Sequence, residues 1–217
     1  GDRVVVGNDV YGGTYRLLDK VLGPWQLKHA VVDMSDLDQV RDALAAEKTR
    51  VLWVETPTNP MMKIADIAAL AELAKEYDAL LVVDNTFATP YLQLPLKLGA
   101  DVVVHSATKY LGGHGTTIAG VIVDGGTFDY AQHPERFPNF NTPDPSYHGL
   151  VYARDLGVGS PFGANLSFIL KARVQLLRDL GPAASPFNAF LIAQGLETLS
   201  LRVDRHIENT HKVAAYL

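Results

Sequence analysis

The chain contains no cysteine, which excludes disulfides, zinc ribbons and thiol nucleophiles together. Its seven histidines include no HExxH pair or other close metal-ligand spacing, so no metal site is expected. A basic stripe is also missing. The 19 basic and 24 acidic residues leave a net charge of −5, which makes nucleic acid and anionic membranes poor partners. No apolar run is long enough to span a bilayer, and no signal peptide opens the chain. A soluble, cytoplasmic protein is the expectation.

What is present is apolar and regularly spaced. With 217 residues and 47% hydrophobic content, the chain can bury a substantial core. The first 125 residues alternate short apolar runs with amphipathic segments, the pattern of repeated βα units and a largely parallel sheet. Strands are predicted at residues 4–6, 30–32, 51–55, 80–84, 102–105 and 119–123. Ser35 is placed to cap a helix with Leu37, Val40 and Leu44 on one face, and Asp38 three residues on approximates a capping box. Asp66 is placed to cap a second helix carrying Ile67, Leu70, Ala71, Ala74 and Tyr77.

The alternation stops at residues 126–163, where five prolines and seven aromatics predict a long ordered loop rather than a disordered linker. Residues 166–180 are helical in composition and stop at Gly181-Pro182. Ser185-Pro186 then opens a long helix that tolerates Gly195 at a cost of ~1 kcal/mol. The predicted division is a large domain over 1–184, including the long loop, and a helix over 185–217 that leads toward a further domain. The chain enters its first strand almost at once, without an initiator methionine, and ends inside a helical pattern at Leu217. Both ends read as cut.

Three of the predicted strands end in chemistry. The run 102–104 empties into His105-Ser106-Ala107-Thr108-Lys109-Tyr110, the run 80–83 into Asp84-Asn85-Thr86, and the run 51–54 into Glu55-Thr56-Pro57-Thr58-Asn59-Pro60. Open α/β sheets bind ligands at the carboxyl ends of their strands. An amine held there forms Schiff bases with carbonyl compounds once its pKa is lowered. A carboxylate there can be held against a protonated heteroaromatic nitrogen and keep a cofactor ring cationic. Lys109 and Asp84 together therefore suggest pyridoxal phosphate.

The hydroxyls of Ser106 and Thr108 suit a phosphate, and read equally well as caps for whatever follows the strand. Tyr11, followed by Gly12-Gly13-Thr14, reads either as a ring face against the cofactor or as the anchor of a turn. Gly112-Gly113-His114-Gly115 lacks the spacing of a dinucleotide fingerprint and reads as a flexible loop after Lys109, with His114 a loop residue. Ser106-Ala107-Thr108-Lys109 also matches the SxxK of penicillin-binding proteins, but the SDN and KTG elements that accompany it are missing.

The four motifs beginning at Tyr11, Glu55, Val83 and His105, in that order, closely resemble the Cys/Met-metabolism family of pyridoxal-phosphate enzymes. The stretch from His114 to Gly126 and the segment Pro143-Asp144-Pro145-Ser146-Tyr147-His148-Gly149 are more similar to its O-acetylhomoserine sulfhydrylase branch than to its cystathionine synthases and lyases. The resemblance implies the large domain of a fold type I transferase: a mostly parallel sheet with helices on both faces, without the family's N-terminal segment and most of its C-terminal domain. It implies that Lys109 carries the cofactor, Asp84 partners its pyridine nitrogen, and Tyr11 stacks on its ring. Asn59 is implied to lie near the phenolic oxygen, with Ser106 and Thr108 on the phosphate and catalytic roles for Lys109 and Tyr11.

The implied reaction is γ-replacement of O-acetyl-L-homoserine by sulfide to give L-homocysteine, in methionine biosynthesis. Cystathionine γ-synthase, cystathionine γ-lyase and methionine γ-lyase chemistry are the alternatives, as is a chain that is catalytically silent outside an assembly. A homodimer or homotetramer with shared active sites is implied.

Overall fold

In the computed structural model, residues 2–217 are described. Six strands, β1 (Arg3–Gly7), β2 (Lys28–Val32), β3 (Val51–Glu55), β4 (Leu80–Asp84), β5 (Val102–Ser106) and β6 (Gly120–Asp124), form one sheet in the order β2-β1-β3-β4-β5-β6. The pairs β1/β2, β1/β3, β3/β4 and β4/β5 are parallel. Each predicted strand is present within a residue or two of its expected bounds.

The strand order matters for function. β1 and β3 are neighbours, with β2 on one side and β4, β5 and β6 on the other. The connections that leave the carboxyl ends of β1 and β3 therefore part in opposite directions and open a crevice, the place where such sheets take ligands.

Because successive strand residues point to opposite faces, the central strands feed two cores. On one face Val5, Leu52, Val54, Leu81 and Val83 are fully buried beneath α2 (Leu37–Ala46) and α3 (Ile67–Glu76), which contribute Val40, Leu44, Leu70 and Ala74. Truncating a residue such as Leu70 to alanine would cost about 2–5 kcal/mol. On the other face Val4 and Val6 meet Leu18, which lies just beyond the short α1 (Gly12–Arg16). Both faces are thus covered by helical segments.

Asp66 caps α3 as expected, accepting from the Ala69 N–H at 3.0 Å. The cap of α2 is a correction: Asp36, not Ser35, accepts from the N–H groups of Asp38 and Gln39, both at 3.1 Å. Ser35 is instead drawn back onto Asp33, whose Oδ1 takes its N–H at 3.0 Å and its hydroxyl at 2.6 Å. A carboxylate at the helix start also opposes the positive end of the helix dipole, which a serine hydroxyl does only weakly.

The C-terminal residues differ from the single long helix expected. Ser185 does cap the first piece, its hydroxyl accepting from the Asn188 N–H at 3.1 Å, but the helix divides at Thr198 into α4 (Pro186–Glu197) and α5 (Leu199–Tyr216). Both belong with the sheet. Compact packing groups residues 1–123 with 184–217 and sets 124–183 apart, a division different from 1–184 and 185–217. Gly195 permits a close approach within the first of these groups. A Cβ there would stand 2.2 Å from the Gly112 carbonyl oxygen, so α4 comes down on the backbone that follows Lys109.

The 124–183 unit holds the proline- and aromatic-rich segment and is ordered by its rings. Tyr130 and Phe140 stack with centroids 4.1 Å apart, Phe137 meets Tyr130 edge-on at 5.2 Å, and the fully buried Tyr152 lies under the Lys171 ammonium at 4.2 Å. Such contacts contribute about 0.5–1.5 kcal/mol each beyond area burial. Helical turns run from Ser167 to Leu180 and stop at Gly181, whose φ of +82° suits glycine. Among the described residues no helix is long and apolar enough to cross a membrane.

Candidate active site

The carboxyl ends of four strands converge on one cavity of about 360 Å³, within the roughly 300–1,000 Å³ usual for small-molecule sites. The connection after β1 contributes Tyr11; β3 and its loop, Glu55 and Asn59; β4 and its loop, Asp84 and Thr86; and β5 and its loop, Ser106, Thr108 and Lys109. All six residues singled out from the sequence line it. Pro57, Phe87 and Ile118 complete the lining.

Lys109 follows β5 in a tight turn: its N–H bonds the Ser106 carbonyl at 3.1 Å and its own carbonyl accepts from Gly113 at 2.8 Å. The turn is packed from below, with Ala107 and Leu111 in one buried cluster with Ile192, Leu199 and Val203 of α4 and α5. Arg202 of α5 pins it, donating to the Tyr110 carbonyl at 2.9 Å and to the Gly195 carbonyl at 2.7 Å. With its backbone held, the amine has no hydrogen-bond or ion-pair partner among the described residues and is free to meet a ligand.

Asp84 is oriented by a short relay. The Ser106 N–H donates to Thr86 Oγ1 at 2.8 Å, and that hydroxyl donates to Asp84 Oδ1 at 2.6 Å. The Thr86 N–H adds a bond to the same oxygen at 3.1 Å. Two bonds from Thr86 thus hold one carboxylate oxygen, and the Ser106 N–H holds the Thr86 hydroxyl in turn. Thr86 is a residue whose orienting role the sequence did not reveal, although it lies within a recognised motif.

Tyr11 precedes α1, its carbonyl accepting from Thr14 N at 2.8 Å. Its ring lies over Gly13, where a Cβ would stand 2.3 Å from Tyr11 Cε1. Glycine therefore leaves room for the ring in this position, for reasons of space and not of backbone angle, and Tyr11 is 56% exposed.

Ser106 and Thr108 differ in their freedom. The Thr108 hydroxyl already bridges Ala119, donating to its carbonyl at 3.3 Å and accepting from its N–H at 3.1 Å. Ser106 carries no such link from its hydroxyl among the described residues. Asn85, in the same motif as Asp84, is fully buried and turned inward, bonding the Thr89 and Gln93 carbonyls and the Gln93 amide. His114 bonds the Gly112 carbonyl at 2.7 Å and does not line the cavity.

Two ionisable neighbours were not singled out. Glu55 is 6% exposed, and burial pushes its carboxyl up to about 7, with the Tyr11 N–H opposing and the Asp84 charge adding to the rise. His105 is buried with Nδ1 unpartnered among the described residues, and burial holds its imidazole below its ordinary value, against the pull of Asp84. A motif marks such residues, but only contacts between strands give them these surroundings.

With the geometry in hand, the whole chain, residues 1–217, matches the family model for Cys/Met-metabolism PLP-dependent enzymes. The chain belongs to that family. It is 52% identical over its full length to the O-acetyl-L-homoserine sulfhydrylase of Leptospira meyeri and 44% identical to the homocysteine synthase of Schizosaccharomyces pombe, covering 49% of each. It superposes with a TM-score of 0.89 and 37% identity on the metY protein of Campylobacter jejuni, solved with a pyridoxyl-lysine phosphate, covering all of this chain and 51% of that one. The chain spans about half the length of the curated relatives it matches.

The family's cofactor is pyridoxal phosphate, and the donor set fits it. The cavity offers one unpaired amine for an aldehyde, an oriented carboxylate for a pyridinium, an aromatic ring left uncovered by Gly13, and small hydroxyls for a phosphate.

Proposed function

We propose that the protein works as an O-acetylhomoserine sulfhydrylase, converting O-acetyl-L-homoserine and sulfide to L-homocysteine and acetate. The observation that carries this reading is the unpaired Lys109 amine in the same cavity as the oriented Asp84 carboxylate. The names of the two relatives reported above favour the sulfide-using reaction within the family.

Pyridoxal phosphate, when bound, supplies a sink for the electron pair released at the amino acid's α-carbon. Lys109 would hold the cofactor in the resting enzyme, and its amine, once freed, would take the α-proton and carry protons in later steps. Asp84, kept in place by Thr86, would hold a proton on the ring nitrogen. Tyr11 would cover the ring face and exclude water, Asn59 would lie beside the phenolic oxygen, and Ser106 and Thr108 would bind the phosphate. The working enzyme would be a homodimer or homotetramer with sites shared between subunits.

The test is an absorbance spectrum of the full-length protein with pyridoxal phosphate, then borohydride reduction, peptide mapping and turnover assays. Label on Lys109 with sulfide-dependent homocysteine formation is expected. Use of cysteine in place of sulfide would move the assignment to a cystathionine γ-synthase, and elimination without an acceptor to a γ-lyase. Turnover by the full-length protein but not by these 217 residues would make the chain silent outside its assembly.

A further inference from the structure

Two loops reach the cavity from either side of the β1/β3 divide, and the one carrying Tyr11 is tied across that divide to a side chain of β3. The Tyr11 N–H donates to Glu55 Oε2 at 2.8 Å. Glu55 ends β3, is nearly inaccessible, and is the register partner of Asp84 on β4.

Tyr11 needs such a tether. The start of α1 has no side-chain cap, and the Tyr11 carbonyl is already committed to Thr14 and Tyr15. Its N–H is the remaining backbone handle, and Glu55 holds it. Gly13 leaves space for the ring but does not direct it.

We propose that Glu55 is a positioning residue of the cofactor site: by accepting the Tyr11 backbone N–H it sets the Tyr11 side chain on the cavity wall, acting as a hydrogen-bond acceptor. This rests on the pyridoxal-phosphate reading above and deepens it. The acceptor role follows from the surroundings. A group beside Asp84 and out of water has its neutral form favoured, and a neutral carboxyl still accepts through its carbonyl oxygen.

The experiment uses the full-length protein with Glu55→Gln, which keeps an acceptor, and Glu55→Met, which keeps the volume and removes it. The readouts are the pyridoxal-phosphate dissociation constant, the visible circular dichroism per bound cofactor, and the melting temperature of the cofactor-free protein. The methionine variant should bind about tenfold more weakly with a diminished dichroic band, and the glutamine variant should stay within about threefold of wild type with the band retained. Should the methionine variant not fold, Glu55→Asp, a methylene too short to reach the Tyr11 N–H, is expected to show the same loss.

A dichroic band that is unchanged per bound cofactor in the methionine or aspartate variant would make the role merely structural and overturn the proposal. So would a glutamine variant weakened as far as the methionine one. A wild-type protein with no cofactor band and no borohydride label would instead overturn the underlying reading.

Discussion

Glu55 and Asp84 are register partners on adjacent parallel strands, so two carboxyl groups end β3 and β4 side by side and line the same cavity. Their surroundings differ. Asp84 receives the Thr86 hydroxyl and N–H, whereas Glu55 is shut away from water, which favours its acid form.

The first prediction is a pH dependence of stability. The folded-state pKa of Glu55, about 7, lies above its ordinary 4.5, so between these values the folded protein holds a proton the unfolded chain has released. Stability from this group is complete below about 4.5 and falls as pH rises through about 7, by an amount on the order of 3 kcal/mol. Glu55→Gln has no such proton to lose. In cofactor-free protein its melting temperature should gain on wild type from pH 5 to pH 8. Parallel pH profiles for the two proteins would refute the shift.

A second prediction concerns the relay to Asp84. Thr86→Val preserves shape but removes the hydroxyl that accepts from Ser106 N–H and donates to Asp84. An unpaired N–H should cost about 1–3 kcal/mol in stability. With Asp84 less well fixed, kcat should fall roughly tenfold or more while borohydride still labels Lys109. Wild-type kcat in this variant would show that Asp84 needs no orientation.

How much of this could be read from the sequence depended on range. The strands were legible because runs such as Leu80–Val83 are apolar at every position, as a strand buried on both faces must be, and the polar residues that end them necessarily fall at one sheet edge. The role of Glu55 was not, because it depends on an N–H lying 44 residues earlier that only the pairing of β1 with β3 brings close. Ser35 and Asp36 are both good caps, and which one wins is decided by Asp33 capturing the serine. In the C-terminal helices, periodicity predicts an apolar face but not its partner. That Gly195 and Arg202 return to the turn after Lys109 appears only in three dimensions.

Gly13→Ala tests the stacking role of Tyr11. The new methyl would occupy space 2.3 Å from Cε1 of the tyrosine, and the half-exposed ring can swing outward to relieve the clash. Stability should change by less than about 1 kcal/mol, since alanine suits a helix better than glycine. Cofactor binding should weaken by roughly two- to tenfold, the worth of one aromatic contact. A cofactor titration on the variant decides it, and unchanged affinity would mean that the ring does not stack.

The last prediction separates support of the Lys109 turn from chemistry within it. α4 can approach the Gly112 carbonyl only because residue 195 has no side chain, and Arg202 then bonds both the Tyr110 and Gly195 carbonyls. Gly195→Ala drives a methyl into backbone that cannot yield cheaply, so α4 must lift and about 1–3 kcal/mol of stability should be lost. Arg202→Met leaves the helix seated but frees the turn, removing two charge-assisted bonds worth about 1.5–3 kcal/mol each before relaxation. Neither residue lines the cavity. If the C-terminal helices serve to hold the amine in place, both variants should react more slowly with pyridoxal phosphate, as followed by the rate at which the visible band grows, and Gly195→Ala should also melt earlier. A lowered melting temperature with an unchanged rate would mean that α4 and α5 stabilise the fold without setting the position of Lys109.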